Sequence, residues 1–145
     1  MIEIVIPVYR ELHRLSFVVE GLARQTVDSF VVHFINDGGN RSIANLLKKW
    51  IGGRFAWTYH YLEPMTPLFR KSAALNLGLM YVTSDRVLIL DNDVVPTPGV
   101  VEAHMTTEQE WDVLVGSRRH VKPIWISRQK VANFSYKVLE EHVCK

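Results

Sequence analysis

The chain has 145 residues, and its 17 basic and 15 acidic side chains leave a net charge of +2. This length predicts one domain with a hydrophobic core, and the balanced charge, without a basic run, gives no support to a nucleic-acid partner. The single cysteine, Cys144, excludes an intramolecular disulfide and a cysteine-rich zinc site.

Three features favour a cytoplasmic location. A lone cysteine fits a reducing compartment. Met1 leads directly into Glu3 and a strand pattern, without the basic and apolar regions of a signal peptide. The apolar runs are far shorter than the about 20 residues that span a membrane. We therefore expect a cytoplasmic chain, and peripheral attachment to a membrane stays open.

Strand and helix patterns alternate along the chain. In order they are a strand at 2–7, a helix at 11–24, a strand at 30–35, a helix at 42–50, a strand at 55–61, a helix at 69–82, a strand at 87–90, a helix at 98–107, a strand at 113–116 and a helix at 128–143. Pro7 is expected to end the first strand, because proline cannot donate a hydrogen bond to the ladder. Strands separated by such helices predict an α/β fold, a mostly parallel sheet with helices on both faces.

The fourth strand ends in two carboxylates, Asp91 and Asp93. Its continuous apolar run predicts a strand buried on both faces of the sheet, and ligands bind at the carboxyl ends of such strands. Two neighbouring carboxylates need a counter-charge, which a hard divalent cation that carries a diphosphate supplies. The alternative is an ordinary turn or a helix cap.

Polar clusters follow two other strands and are expected at the same edge of the sheet. Tyr9 follows the first strand and offers a flat face to a base. Asp37 follows the second strand and can accept a hydrogen bond from a base, next to glycines that allow close approach. Taken singly, each cluster is better interpreted as a boundary aromatic or an ordinary turn. Their joint occurrence favours a nucleotide site.

Basic residues on the third helix are further candidates. Arg70 lies near the start of this helix and could pair with a pyrophosphate or a base carbonyl. For Lys71 a solvated charged face is the better interpretation, and Arg118-Arg119 are second candidates for a phosphate. The sequence contains no phosphate-binding or dinucleotide-binding glycine loop, and its serines and histidines lack a nucleophile-elbow or His-x-x-x-His context.

Five motifs, in order over about residues 2–118, resemble glycosyltransferase family 2. They are Ile4-Val5-Ile6-Pro7-Val8-Tyr9-x-Glu11, Gln25-Thr26, Ile35-Asn36-Asp37-Gly38, Ala73-Ala74-x-Asn76-x-Gly78 and Leu90-Asp91-Asn92-Asp93. Motifs in this order are far more specific than any single one. The resemblance implies the GT-A fold and transfer of a sugar from a nucleotide sugar, commonly UDP-linked, with Mg²⁺ or Mn²⁺.

The resemblance also implies the roles of single residues. Tyr9 would stack on the uracil, and Asp37 would bind its N–H edge. Asp93 would be the principal metal ligand, with Asp91 beside the ribose and the metal. The nucleotide-binding residues it implies are Pro7, Val8, Tyr9, Glu11, Asp37, Gly38, Arg70, Asn76, Asp91 and Asn92.

The chain departs from the family pattern in several places. Arg10 stands where the family usually has Asn, Asn36 where it has a first Asp, and Gly39-Asn40 replaces a Ser-containing turn. We expect a donor-binding core at 1–118 and a helical segment at 119–145 that is a shortened acceptor region. No general base is identified there, and Glu140, Glu141 and His142 are only speculative substitutes.

The sequence thus favours a metal-dependent, inverting glycosyltransferase that uses a UDP-sugar and an unidentified glycan, lipid or protein acceptor. The alternative is a non-catalytic nucleotide-sugar-binding module, or half of a split enzyme that a second copy or a partner chain completes. A sugar nucleotidyltransferase is a weaker third hypothesis, because no glycine-rich loop follows the first strand.

Overall fold

The computed structural model describes residues 1–10, 12–107 and 113–120. In chain order the elements are β1 (Ile2–Val8), α1 (Leu12–Leu22), β2 (Phe30–Asp37), α2 (Ile43–Ile51), β3 (Ala56–Leu62), α3 (Lys71–Leu79), β4 (Val87–Ile89) and α4 (Val100–Thr106). These eight elements lie within a few residues of their predicted positions.

The four strands form one parallel sheet in the order β3-β2-β1-β4. In its register Ile2 lies opposite Phe30, and Glu3 lies opposite both Val31 and Val87. Because all four strands run the same way, the residues that follow β1, β2 and β4 emerge at one edge. The predicted α/β fold is confirmed.

Helices cover both faces of this sheet. Alternate residues of β1 point to opposite faces, so Ile4 and Val5 belong to different clusters. The larger cluster joins the sheet to α1, α2 and α4, and the smaller one joins it to α3. Gly78 permits this second contact, because a Cβ there would overlap the Val5 side chain and lie 3.1 Å from Ile35.

Pro7 does not end β1, which continues to Val8. Glu3 donates its amide to Arg86, and the Val5 carbonyl accepts from Leu90, so the odd-numbered residues of β1 bond toward β4. Pro7 faces the same side but lies beyond the last residue of β4. Its missing N–H therefore breaks no ladder bond, and the prediction that it stops the strand is wrong.

β4 is not buried on both faces, which corrects a second prediction. It is the outer strand of the described sheet and has three residues, of which Val87 is 41% and Ile89 is 48% exposed. An apolar run does not reveal the position of a strand in its sheet. Only Leu90, directly after β4, is buried as predicted.

The predicted strand at 113–116 is absent: residues 113–120 carry no regular secondary structure, and Val113 and Val115 are 75% and 85% exposed. An apolar run becomes a strand only where a neighbouring strand accepts its backbone hydrogen bonds, and no described strand lies beyond β4. The predicted helix at 128–143, the acidic candidates Glu140 and Glu141, and Glu11 lie outside the described residues. Within the described ranges no helix is long and apolar enough to cross a membrane.

A polar chain runs across β1, β2 and β3 on the face of the sheet that packs against α3, and two of its members, Glu3 and His33, are buried. His33 Nε2 is 2.5 Å from a Glu3 carboxylate oxygen, and Thr58 Oγ1 is 2.7 Å from His33 Nδ1 and 2.9 Å from His60 Nε2. A carboxylate only accepts, so His33 Nε2 donates to Glu3. The Thr58 hydroxyl lies between the two imidazole rings and can both donate and accept, so it joins them.

The other Glu3 oxygen accepts three hydrogen bonds from the turn before β4. Thr83 donates its amide at 2.8 Å and its hydroxyl at 2.9 Å, and Ser84 donates its amide at 2.8 Å. Burial by itself raises the pKa of Glu3, but the hydrogen bonds from His33, Thr83 and Ser84 outweigh it and lower the pKa to about 2. Burial and the nearby His33 lower the pKa of His60.

Candidate functional site

The carboxyl edge of the sheet brings the predicted clusters together. Tyr9 follows β1, Asp37 ends β2, and Asp91 follows β4 by one residue after Leu90. Side chains from α1, from α3 and from the loop before α3 reach all of them, so the edge forms one connected polar surface. The predicted convergence is confirmed for these residues.

Asp37 and Arg70 form a tight pair in this surface. Asp37 Oδ2 accepts the Arg70 backbone amide at 2.5 Å, and Oδ1 accepts from Arg70 Nε at 2.9 Å and Nη2 at 2.5 Å. A carboxylate offers about four acceptor positions, so one remains. The Asp37 side chain is only 1% exposed, so in this arrangement Arg70 covers its remaining acceptor position.

Tyr9 already makes two ring contacts. The Phe69 ring stacks on it with centroids 5.4 Å apart, and the Arg10 guanidinium carbon lies 4.7 Å from its centroid. The hydroxyl donates to the Pro67 carbonyl at 2.5 Å. Phe69 and Pro67 belong to the loop before α3, so this loop is fastened to the end of β1.

An open cavity of about 290 Å³ lies between Tyr9-Arg10 and the turn at 38–40, with Leu12 and Ile43 at its apolar side. Small-molecule pockets measure about 300–1,000 Å³. The cavity lies at the lower end of this range.

The turn after β2 explains one departure from the family pattern. Asn36 Nδ2 donates to the Tyr59 hydroxyl at 2.8 Å and to the Asn40 carbonyl at 3.2 Å, and its Oδ1 accepts the Gly39 amide at 2.9 Å. An aspartate could not donate these bonds. Gly38 has a φ of 69°, and a Cβ on Gly39 would overlap the Tyr9 carbonyl, so this turn needs its glycines.

Asp91 and Asp93 lie in a turn that the Val94 amide closes on the Asp91 carbonyl at 3.2 Å. Each carboxylate has a basic partner: Lys71 Nζ contacts Asp91, and Arg14 Nη1 lies 3.5 Å from Asp93 Oδ2. Lys71 is exposed, as its interpretation as part of a solvated charged face expects, and it also pairs with Asp91. The expected counter-charge is present here as two side chains.

The donor set of this turn fits a hard divalent cation. Carboxylate oxygens are ligands that Mg²⁺ accepts, and Mg²⁺ typically keeps one or two of them and completes its shell with water and phosphate. Among the described residues no third carboxylate, histidine or cysteine joins the pair. His104 Nδ1 instead donates to the Val100 carbonyl at 2.7 Å. The turn suits a cation that arrives with a diphosphate better than a closed protein cage.

The remaining candidates lie in different surroundings. Pro7 and Val8 are buried in β1, so only their backbone can face a ligand. Asn92 is half-buried in the turn, and Arg118-Arg119 lie in the exposed segment at 113–120. Asn76 is exposed on α3, about 8 Å along the helix axis from Lys71.

Two site residues escaped the sequence reasoning, namely Arg14 and Phe69. A signal for Arg14 was available, because α1 starts at the ligand edge and Arg14 lies in its first turn. The helix that the sequence predicts at 69–82 begins only at Lys71, so Phe69 lies in the loop before it.

Comparison with known proteins gives two results for the sequence. A family model described as glycosyl transferase family 2 matches residues 3–142, nearly the whole chain. No curated protein sequence matches the chain significantly. The family match confirms the resemblance that the five motifs indicate.

Three solved structures share the fold. Staphylococcus aureus TarS superposes with a TM-score of 0.63 at 17% identity, over 72% of this chain and 18% of that one. S. aureus TarS 1-349 in complex with UDP superposes with a TM-score of 0.57 at 17% sequence identity, over 72% of this chain and 30% of that one. The mannosyltransferase PcManGT from Pyrobaculum calidifontis, in complex with GDP-Man and Mn²⁺, superposes with a TM-score of 0.56 at 18% sequence identity. The superposition covers 65% of this chain and 28% of that one. The chain spans less than a third of each of these chains.

Proposed function

The chain belongs to glycosyltransferase family 2, and from this membership we propose that it binds a nucleotide sugar, with a UDP-sugar as the donor, for transfer to an acceptor. We assign donor binding to residues 1–118 and part of the acceptor side to residues 119–145. Mn²⁺ or Mg²⁺ is the proposed cofactor, and Asp93 and Asp91 are its proposed ligands.

One observation carries this proposal: Tyr9, Asp37 and the Asp91–Asp93 turn, which are far apart in the sequence, meet at the ligand edge of a parallel sheet. An aromatic face, a glycine turn and a pair of carboxylates match the base, the sugar-phosphate backbone and the metal–diphosphate of one ligand. The neighbours with UDP, and with GDP-Man and Mn²⁺, support a nucleotide-sugar donor.

The residues of the chain would divide the work as follows. Tyr9 and the turn at 38–40 would seat the base in the cavity, and the Arg70 side chain would move away from Asp37 as the base enters. Asp91 and Asp93 would hold the cation, which neutralises charge on the departing diphosphate. Inversion at the anomeric carbon also needs a general base beside the acceptor hydroxyl. We place this base outside the described residues or on another chain.

A second candidate function is a donor-binding module that a second copy or a partner chain completes, and it is kept because no general base is assigned among the described residues. Turnover separates the two candidates, because a module would bind the donor and transfer its sugar to no acceptor by itself.

Calorimetry tests the shared premise. Purified chain is titrated with UDP and with GDP, first with Mn²⁺ and then with a chelator. We expect UDP to bind more tightly than GDP and to lose affinity with the chelator. Tighter binding of GDP would overturn the uridine assignment, and equal affinity with and without metal would overturn the role of Asp91 and Asp93.

A further inference from the structure

The two carboxylates of the 91–93 turn are each held by a cation from a different helix. Lys71 is the first residue of α3 and contacts Asp91, and Arg14 of α1 lies 3.5 Å from Asp93. The four side chains are between 32% and 52% exposed. Both pairs are therefore open to solvent and to exchange with dissolved ions.

The charges of this arrangement balance. Asp91 and Asp93 carry two negative charges, and Lys71 and Arg14 carry two positive charges, as many as one divalent cation brings. A metal ion bound to the same oxygens would lie within a few ångström of both side chains, where like charges repel strongly. Each of the two positive side chains that stays beside the metal therefore weakens its binding to these carboxylates.

We propose that Lys71 and Arg14 are exchangeable counter-ions of the Asp91–Asp93 pair. They hold the carboxylates before a cation arrives, are displaced by it, and then pair with the phosphate oxygens that accompany it. Lysine and arginine both bind phosphate, lysine as a compact charge and arginine as a fork of donors. The second step rests on the proposed nucleotide-sugar function, whereas the first requires only a divalent cation.

This exchange links the metal to the nucleotide. Mn²⁺ alone has to displace Lys71 and Arg14 from these carboxylates without bringing an anion for them in exchange, so it binds weakly. Mn²⁺ with a diphosphate gives both side chains a new anionic partner, so each ligand strengthens the binding of the other by the same factor. Removing one side chain should change the two affinities in opposite directions.

The test uses Lys71→Met and Arg14→Gln, which keep most of the side-chain length. Electron paramagnetic resonance of free Mn²⁺ measures binding of the metal alone, and calorimetry at saturating Mn²⁺ measures binding of UDP. We expect each variant to bind Mn²⁺ alone about three- to fivefold more tightly and to bind UDP about three- to fivefold more weakly, the size of one exposed ion pair.

Arg10→Gln is the matched control for loss of one positive charge at this edge, because Arg10 contacts the ring of Tyr9 instead of a carboxylate. We expect its affinity for Mn²⁺ alone to stay within about 1.5-fold of the wild type, since a solvent-screened charge without a direct contact contributes little. An equal gain in all three variants would show a general charge effect and overturn the proposal. Unchanged or weaker Mn²⁺ binding in Lys71→Met and Arg14→Gln would also overturn it.

The outcomes separate this proposal from the proposed function. If the wild type binds UDP with Mn²⁺ but neither variant shifts the Mn²⁺ affinity, the exchange is wrong and the nucleotide function stands. If the variants tighten Mn²⁺ binding while the wild type binds no nucleotide, the exchange stands and the nucleotide function fails. If the wild type binds neither ligand, both are wrong.

Discussion

Asp37 and Arg70 are joined by three hydrogen bonds that fasten the end of β2 to the start of α3. Arg70 Nη2 also donates to the Glu63 carbonyl at 2.6 Å, so the same guanidinium closes the loop between β3 and α3. One charged pair thus positions α3, and with it Lys71, relative to the sheet edge.

Asp37→Asn should destabilise the chain by about 2–4 kcal/mol. The substitution leaves a charged Arg70, whose side chain is 18% exposed, without its carboxylate, and breaking a buried pair costs about 3–5 kcal/mol when both groups are fully buried. Urea unfolding measures the loss. Glu63→Gln removes the exposed ion pair with Arg41 and should leave the midpoint almost unchanged. Equal losses in both variants would contradict the anchoring role of Asp37.

Asp93→Asn should weaken metal-dependent UDP binding more than Asp91→Asn does, and by about tenfold or more, because one contact with a charged group contributes about 1.5–3 kcal/mol. Calorimetry with UDP and Mn²⁺ measures the affinities. Asp28→Asn makes the same chemical change before the amino end of β2 and serves as the control. Wild-type metal dependence in Asp93→Asn would mean that the motif is only a turn.

Tyr9→Leu should reduce UDP affinity by about tenfold, since stacking of a base on an aromatic ring contributes about 1–3 kcal/mol. Tyr9→Phe keeps the ring and loses only the hydrogen bond to the Pro67 carbonyl, so its affinity should remain close to that of the wild type. If the two variants lose equal affinity, the flat face of Tyr9 does not carry a base.

The stability of the folded chain should decrease as the pH is lowered through two ranges, one set by His60 and one by Glu3. The pKa of His60 lies below its ordinary value of 6.5, so the unfolded chain takes up this proton first and stability declines as the pH falls below 6.5. The pKa of Glu3 drops from 4.5 to about 2, so its contribution is complete above pH 4.5 and is lost as the pH approaches 2.

Glu3→Gln tests the second window. The substitution makes the acceptor of several hydrogen bonds neutral, so the free energy of unfolding should fall by about 1–3 kcal/mol at neutral pH. Between pH 4.5 and 2 the variant should lose little further stability. Urea unfolding at a series of pH values gives both quantities. If the variant loses stability between pH 4.5 and 2 as steeply as the wild type, another carboxylate is responsible for the acid sensitivity.

The purified chain alone should hydrolyse a donor sugar slowly and transfer it poorly. Positioning of the acceptor and general-base catalysis each contribute several powers of ten in rate, and the described residues hold no assigned base. Release of UDP is compared with transfer to an acceptor library over a range of protein concentrations. Fast, specific transfer by a demonstrated monomer would mean that residues 119–145 contain a base that the sequence did not reveal.

The sequence predicted the order of the elements and the convergence of Tyr9, Asp37 and Asp91, because hydrophobic periodicity and the rules for parallel sheets are local or topological. It could not predict the partners of these residues. The contacts of Lys71 with Asp91 and of Arg14 with Asp93 depend on how two helices pack, and a charged residue on an exposed helix looks the same with or without such a partner. The prediction that β4 is buried on both faces was wrong for a similar reason, because an apolar strand pattern does not show which strands lie beside it.

Glu3 has a consequence for the ligand edge although it lies toward the other end of the sheet. Its carboxylate binds the turn before β4, and its amide donates to Arg86, so it sets the register in which this three-residue strand joins β1. Asp91 follows β4 after one residue, so the register of β4 against β1 decides where the Asp91 carboxylate lies at the edge of the sheet. Loss of the Glu3 carboxylate would therefore leave the position of the 91–93 turn along β1 to the remaining contacts of β4.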